Sequence, residues 1–441
     1  MTEGTPWRKL MIFAVPLIIG NIFQQFYSIA DAIILGRYIG DYALAAVGSS
    51  MPLFFLIMVL MMGISMGISI MVSQYFGAMR RDDLSYTIGN GITITAILGV
   101  LLMVVGPLVS RPLLVLLNTP PEILDDSVLY MNILLIGVFG MAYFNVLSGI
   151  LRGLGDAFSP LIYLIISSLL NIVLNYVFIV IFGWGMPAIA AGTVLAQSVS
   201  SVLCLRRMFK MKETFDMGLK FLRLNRKFAG QTLRLGVPSG ASQAIVAVAA
   251  MVVQPLVNSF GHSFIATYVI VTRIDGIVMM PMFSFGNALT VYAGQNMGAG
   301  KVDRIEQGAK QGAIMALCTA ALLVALILTF GEYIAGMFTQ TREVVEMSMK
   351  MLRIIAPGFL VFSIGSVIWG AIRGAGDAVS PMWASVVSTV IIRMPTAYLF
   401  VHLLGRPDAL MYSMVAAWVV NTLLAIIIYR IGKWRTMNVV Q

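Results

Sequence analysis

Charge is scarce in this chain: Asp, Glu, Lys and Arg make up only 11% of its 441 residues, while 59% are hydrophobic and the mean hydropathy is +0.92. A soluble protein carries about a quarter of its residues charged, so a water-soluble multidomain chain is excluded. Cysteine is nearly absent; Cys204 and Cys318 are too few and too distant for a disulfide framework or a thiolate metal cluster. Histidine is as rare, and His262 and His402 stand far apart, which removes a His-based metal centre or acid-base pair. The stretch nearest to a phosphate loop, Gly294 to Lys301, has the wrong glycine spacing and is followed by Val302 where Ser or Thr is required. With no clustered acid-base set either, the expectation is a protein that is not an enzyme and needs no cofactor.

Long apolar runs are abundant. Crossing about 30 Å of hydrocarbon takes about 20 residues of helix. Twelve runs meet that requirement, near 10–36, 48–74, 88–109, 130–151, 160–182, 187–208, 232–258, 266–293, 310–330, 350–371, 381–403 and 409–430. The fold class expected is therefore an all-α polytopic membrane protein with twelve transmembrane helices. The first run is too long to be the apolar part of a cleavable signal, so it is expected to remain as a helix. The net charge of +10 comes from 29 basic residues, most of them in the N-terminus, the even-numbered loops and the tail, with the largest group at 206–234. The positive-inside rule then places both termini in the cytoplasm, and the basic surplus orients the chain rather than binding nucleic acid.

The chain repeats itself. Gly149-Ile-Leu-Arg-Gly-Leu-Gly-Asp-Ala-Phe-Ser-Pro160 returns as Gly370-Ala-Ile-Arg-Gly-Ala-Gly-Asp-Ala-Val-Ser-Pro381, and the same offset carries Gln74, Gly77, Ala78 and Asp82 onto Gln295, Gly298, Ala299 and Asp303. Ala14-Val-Pro16 likewise matches Gly236-Val-Pro238. Such self-similarity predicts two six-helix, pseudo-symmetric lobes. The N-terminal lobe is expected at 1–208, a basic cytoplasmic linker at 209–231 and the C-terminal lobe at 232–441.

Polar residues inside the spans are few and grouped. At 100° per residue, Asn21, Gln24, Gln25, Ser28 and Asp31 share one face about 120° wide, which has to look at protein or water. Asp31 is the only acid deep in the first half, and an intramembrane carboxyl is costly enough to mark a functional site. Helix 5 carries Ser167, Ser168, Asn171 and Asn175; helix 6 carries Thr193, Gln197, Ser200 and Ser201. Helix 7 repeats helix 1 with Ser239, Gln243, Gln254 and Asn258 but has Val253 in place of an acid. Arg273 and Asp275 in helix 8 are candidates for structural charge pairing with neighbouring helices. Arg393 lies mid-span in helix 11, where it needs a partner such as Asp275 or else faces the cavity.

These residues resemble the multidrug and toxic compound extrusion (MATE) transporters over essentially the whole chain. The likeness rests on Asp31 leading into Gly36-Arg-Tyr-Ile-Gly40 and Ala45-Ala-Val-Gly48, on Gly294-Gln-Asn-Met-Gly-Ala-Gly300, and on the paired Arg-Gly-x-Gly-Asp-x-x-x-Pro turns. The resemblance implies two six-helix lobes around a central cavity that export amphipathic, usually cationic, compounds in exchange for Na⁺ or H⁺. It also implies a cation site at Asp31, Asn171, Asn175 and Thr193, with Asn175 standing where some members have a second acid. Members with acids in helices 7 and 10 have no counterpart here. Gln24, Tyr27, Ser28, Gln254, Asn258 and Arg393 are the candidates for the substrate cavity. The expected partners are small amphipathic molecules and the lipid bilayer of the plasma membrane, with the chain acting as a monomer. A flippase for a lipid-linked or anionic amphipath on the same scaffold is the alternative.

Overall fold

The structure, a computed structural model, describes residues 1–440, and of Asp41 the backbone alone. Among the described residues it is helical throughout, without a strand. In chain order the elements are α1 (Pro6–Tyr38), α2 (Asp41–Gly77), α3 (Arg81–Leu116), α4 (Pro121–Ile136), α5 (Val138–Gly153), α6 (Phe158–Tyr176), α7 (Pro187–Phe209), a single turn α8 (Leu219–Leu222), α9 (Arg226–Asn258), α10 (His262–Gly298), α11 (Val302–Gly336), α12 (Arg342–Gly374), α13 (Val379–Ser385), α14 (Met394–Leu404) and α15 (Leu410–Ile431). Wide π-type turns extend α6 through Val177–Ile181 and join α13 to α14 through Val386–Arg393.

Among the described residues, eleven helical stretches are long and apolar enough to cross a membrane, and α4 with α5, bent by 50° at Gly137, makes the twelfth if that pair is one span. Gly137 sits at the bend, where a Cβ would run into the Val194 side chain, so glycine lets α7 approach there. The duplication is visible in the backbone. Gly40 and Gly261, which open α2 and α10, both have positive φ (110° and 84°), as do Gly155 and Gly376 of the repeated turns (95° and 110°). An L side chain is strained in that region, which is why glycine recurs at equivalent places.

The residues form two compact units, Pro16–Gly240 and Met1–Val15 with Ala241–Gln441. This differs from the division expected at 208 and 232. The first turns of α1 belong with the C-terminal helices, and the first half of α9 belongs with the N-terminal ones. The second assignment follows from close packing. Gly63 and Gly67 on α2 face Gly236 and Gly240 on α9, two small-xxx-small stripes in register; a Cβ on Gly67 would lie 2.7 Å from the Gly236 nitrogen. In a membrane, helices associate through such backbone approach because burying apolar surface gains nothing against lipid tails.

Residues 209–231, expected as a linker, are packed onto α3 in the Pro16–Gly240 unit. Phe215, Phe221 and Phe228 are buried there, Tyr86 stacks on Phe228 and meets Phe221 edge-on, and Arg81 holds the Asp216 carboxylate through Nε and Nη2 at 3.2 and 2.9 Å. Asn90 and Ser85 on α3 cap the segment's backbone at Asn225 and Asp216. Basic, polar composition concealed three phenylalanines that anchor the segment.

Candidate functional site

Three helices of the Pro16–Gly240 unit bring Asp31, Asn171, Asn175 and Thr193 together. Asn171 and Asn175 lie one turn apart on α6, so both amides point the same way. The Asn175 amide nitrogen donates to Asp31 Oδ1 at 2.7 Å. With the Asn171 amide oriented to satisfy its neighbours, its nitrogen donates to Asp31 Oδ1 and Oδ2 at 2.8 and 3.3 Å, and its oxygen accepts from the Thr193 hydroxyl and backbone amide, each at 3.2 Å. Both asparagines are buried, Asn175 completely. The Asn175 oxygen is buried without a partner and sits against Gly192, where a Cβ would collide with it. Thus Gly192, next to Thr193 on α7, makes the room that lets Asn175 reach Asp31.

A small cavity adjoins this cluster, lined by Tyr27, Ser167, Ser168, Asn171, Thr193, Ala196 and Gln197. It has room for about one water molecule. The Gln197 side-chain oxygen is buried and unpartnered. Tyr27 and Tyr130 lie within electrostatic reach of Asp31, Tyr130 from α4. Tyr130 and Gly192 were not singled out from the sequence. A tyrosine inside an apolar run carries no signal of its own, whereas the Gly192-Thr193 pair could have been noticed because a glycine inside a span weakens the helix unless something approaches closely.

Chemically, the cluster is one carboxylate solvated by protein amides in place of water. Each amide also carries an oxygen, so Asp31, Asn171, Asn175 and Thr193 together hold the hard oxygen donors a small cation takes, while the carboxylate alone can take a proton. Among the described residues, no three His, Cys, Asp or Glu side chains gather as a transition-metal site would need.

The other candidates are dispersed. Gln24 and Ser28 are exposed on α1, with the Ser28 hydroxyl donating to the Gln24 carbonyl at 3.0 Å. Gln254 and Asn258 are exposed on α9 and bond to each other, the Gln254 amide donating to Asn258 Oδ1 at 2.9 Å. Arg273, expected to pair with a neighbouring helix, is exposed and, among the described residues, makes no ion pair within 4.0 Å. Arg393 instead lies beside the Tyr268 hydroxyl and within Coulombic reach of Asp275, without closing to ion-pair distance. Asp275 Oδ1 is buried with no hydrogen-bond partner.

Duplicated halves of membrane-spanning helices, with a half-buried carboxylate between polar spans, define a polytopic transporter rather than an enzyme. Comparison with known proteins agrees. A family model described as MatE matches residues 16–177 and 238–399, one match to each repeat, and the chain belongs to that family. It is 30% identical over 408 residues to the probable multidrug resistance protein YoeA of Bacillus subtilis, covering 91% of this chain and 88% of that protein. With the probable multidrug resistance protein NorM of Thermotoga maritima it shares 26% over 435 residues, covering 97% and 93%. Among solved structures, a MATE protein in its bent conformation superposes with a TM-score of 0.89 at 25% identity, covering 99% of this chain and 96% of that one. An outward-facing multidrug resistance MATE transporter does so with the same score and identity, covering 100% and 97%.

Proposed function

We propose that this chain is a secondary active exporter of amphipathic, cationic compounds, exchanged for Na⁺ or H⁺ by alternating access across the plasma membrane. The observation that carries this is Asp31 held by two asparagine amides with Thr193 behind them. A carboxylate kept inside a membrane at such cost, amid donors that can also act as oxygen ligands, suits a group whose charge is alternately exposed and neutralised. Names of relatives that speak of multidrug resistance support the substrate class. Both termini lie in the cytoplasm on this reading, and the transporter works as a monomer.

One carboxylate implies a low stoichiometry. An elementary charge crossing 100 mV is worth about 2.3 kcal/mol, so exchanging one monovalent drug cation for one Na⁺ or H⁺ cancels the voltage contribution. The chemical gradient of the coupling ion then drives export. The test is efflux of an ethidium-like cation from proteoliposomes under an imposed Na⁺ gradient and, separately, an imposed pH gradient, for the wild type and Asp31→Asn. Export under one gradient that the substitution abolishes supports the reading and names the ion. Normal transport by Asp31→Asn refutes it, and failure of both gradients to move any cation turns attention to anionic or lipid-linked amphipaths.

A further inference from the structure

Away from Asp31, where α6 begins and α7 ends, Ser159, Tyr163, Leu203, Arg206, Arg207 and Lys210 line a cavity of about 340 Å³. Its charges are unequal in role. Asp156 of the repeated turn accepts from Arg207 Nε at 3.0 Å, from the Ser159 amide at 2.9 Å and from the Ser159 hydroxyl at 2.7 Å. Arg207 is thereby fixed and its charge offset. Arg206 and Lys210 are exposed and, among the described residues, make no ion pair within 4.0 Å, which leaves two positive charges for something else. Tyr163 adds a hydroxyl with no hydrogen bond among the described residues.

We propose that this cavity binds the phosphate of an anionic phospholipid in the cytoplasmic leaflet. Helix periodicity favours a lipid over free phosphate. Leu195, Val199, Val202 and Arg206 follow one another at intervals of four, three and four residues on α7, so one stripe runs from exposed apolar side chains into the basic cavity. On α6, Phe158, Ile162 and Ile166 form a parallel exposed apolar row starting at the same end. From Leu195 to Arg206 the helix rises about 16 Å, close to half of a hydrocarbon core about 30 Å thick. That is the depth of one leaflet's acyl chains, ending where a headgroup sits, and basic pockets between helices on the cytoplasmic side suit such headgroups.

The repeat supplies an internal control. Under the offset of the repeated turns, Arg206, Arg207 and Lys210 correspond to Ile427, Ile428 and Ile431, whereas Ser159 and Asp156 correspond to Ser380 and Asp377. The turn's own architecture persists in the second half, with Asp377 accepting from the Val379 and Ser380 amides and the Ser380 hydroxyl. The basic residues are therefore not needed to build the turn; they are an addition to one copy.

The inference rests on the membrane orientation given above but not on drug export, so it can fail or stand separately from that function. The test is native mass spectrometry of the full chain extracted from vesicles of phosphatidylglycerol and phosphatidylcholine, comparing wild type, Arg206→Gln/Lys210→Gln, and Lys212→Gln/Arg226→Gln as a control with the same charge change outside the cavity. The wild type and the control should retain phosphatidylglycerol in preference to phosphatidylcholine. At about 1 kcal/mol per basic residue near the surface, the cavity variant should lose retention by roughly 30-fold, equivalent to about 2 kcal/mol. Unchanged thermal stability of that variant in detergent shows that it remains folded. Equal retention by all three proteins, or equal retention of both lipids by the wild type, overturns the site. Displacement of the lipid by millimolar inorganic phosphate, with phosphate bound in its place, overturns the lipid assignment.

Discussion

Adding a single methyl group at Gly192 should disturb Asp31 from a distance. An alanine Cβ there would occupy the position of the Asn175 oxygen, with Asn175 Cγ only 3.1 Å and its backbone nitrogen 3.5 Å away. The backbone cannot yield, so the amide must swing, and the 2.7 Å bond from its nitrogen to Asp31 is lost. Two effects oppose each other. Replacing glycine by alanine inside a helix gains about 1 kcal/mol. Losing a hydrogen bond to a charged acceptor costs about 1.5–3 kcal/mol. The net loss in stability is about 0.5–2 kcal/mol, a modest shift in melting temperature. The larger consequence should be on coupling, since the lost bond acts on the carboxyl directly: about 1.5–3 kcal/mol corresponds to a change of roughly 10- to 150-fold in the coupling-ion concentration that half-saturates transport. The assay is dye efflux from proteoliposomes, titrated with Na⁺ at fixed pH and with protons in the absence of Na⁺. Unchanged half-saturation for both ions, in a protein that is folded and transports, would refute the role given to Gly192 and Asn175.

Three further outcomes follow from packing and burial. Gly67→Val forces a branched side chain into the Gly236 backbone and should cost about 1–3 kcal/mol or more by overpacking, read as a lower melting temperature in detergent, with Gly230→Val, which has open space, as the comparison. Gln197→Leu removes a buried oxygen that has no partner, so thermal stability should hold or rise by about 1 kcal/mol while the half-saturating ion concentration shifts, because the side chain lines the cavity next to Asn171. Arg81→Ala breaks an ion pair whose two side chains are each 49% exposed, so the Coulombic part should amount to about 1 kcal/mol or less and be weaker in high salt.

The parts of this molecule that could be read from the sequence are those written along one helix. Asp31 on a polar face, two asparagines one turn apart and Thr193 on a neighbouring span are each periodic signals, and the resemblance tied them to one site; the structure brings the four into hydrogen-bonding distance. Relations between helices were less legible. Nothing in the α2 or α9 pattern alone says that Gly63 and Gly67 face Gly236 and Gly240, because the same small-xxx-small stripe would suit many partners. The partners that Arg273 and Asp275 would find on neighbouring helices could not be read from their own helix; Arg273 is exposed, and Asp275 lies within Coulombic reach of Arg393. The basic segment at 209–231 read as a linker because charge dominates its composition, while three buried phenylalanines decide where it goes.

The membership of α1 and α9 has a consequence for how such a chain could have arisen. A half-length protein with six helices on this plan would carry its first helix partly in the wrong body: the segment that completes the Pro16–Gly240 unit is encoded after residue 225, and the one that completes the other unit is encoded before residue 16. Neither half of the sequence closes its own unit. A single-repeat ancestor would have had to obtain the missing segment from a second copy, and gene fusion would then have made permanent an exchange that had previously required two molecules to meet.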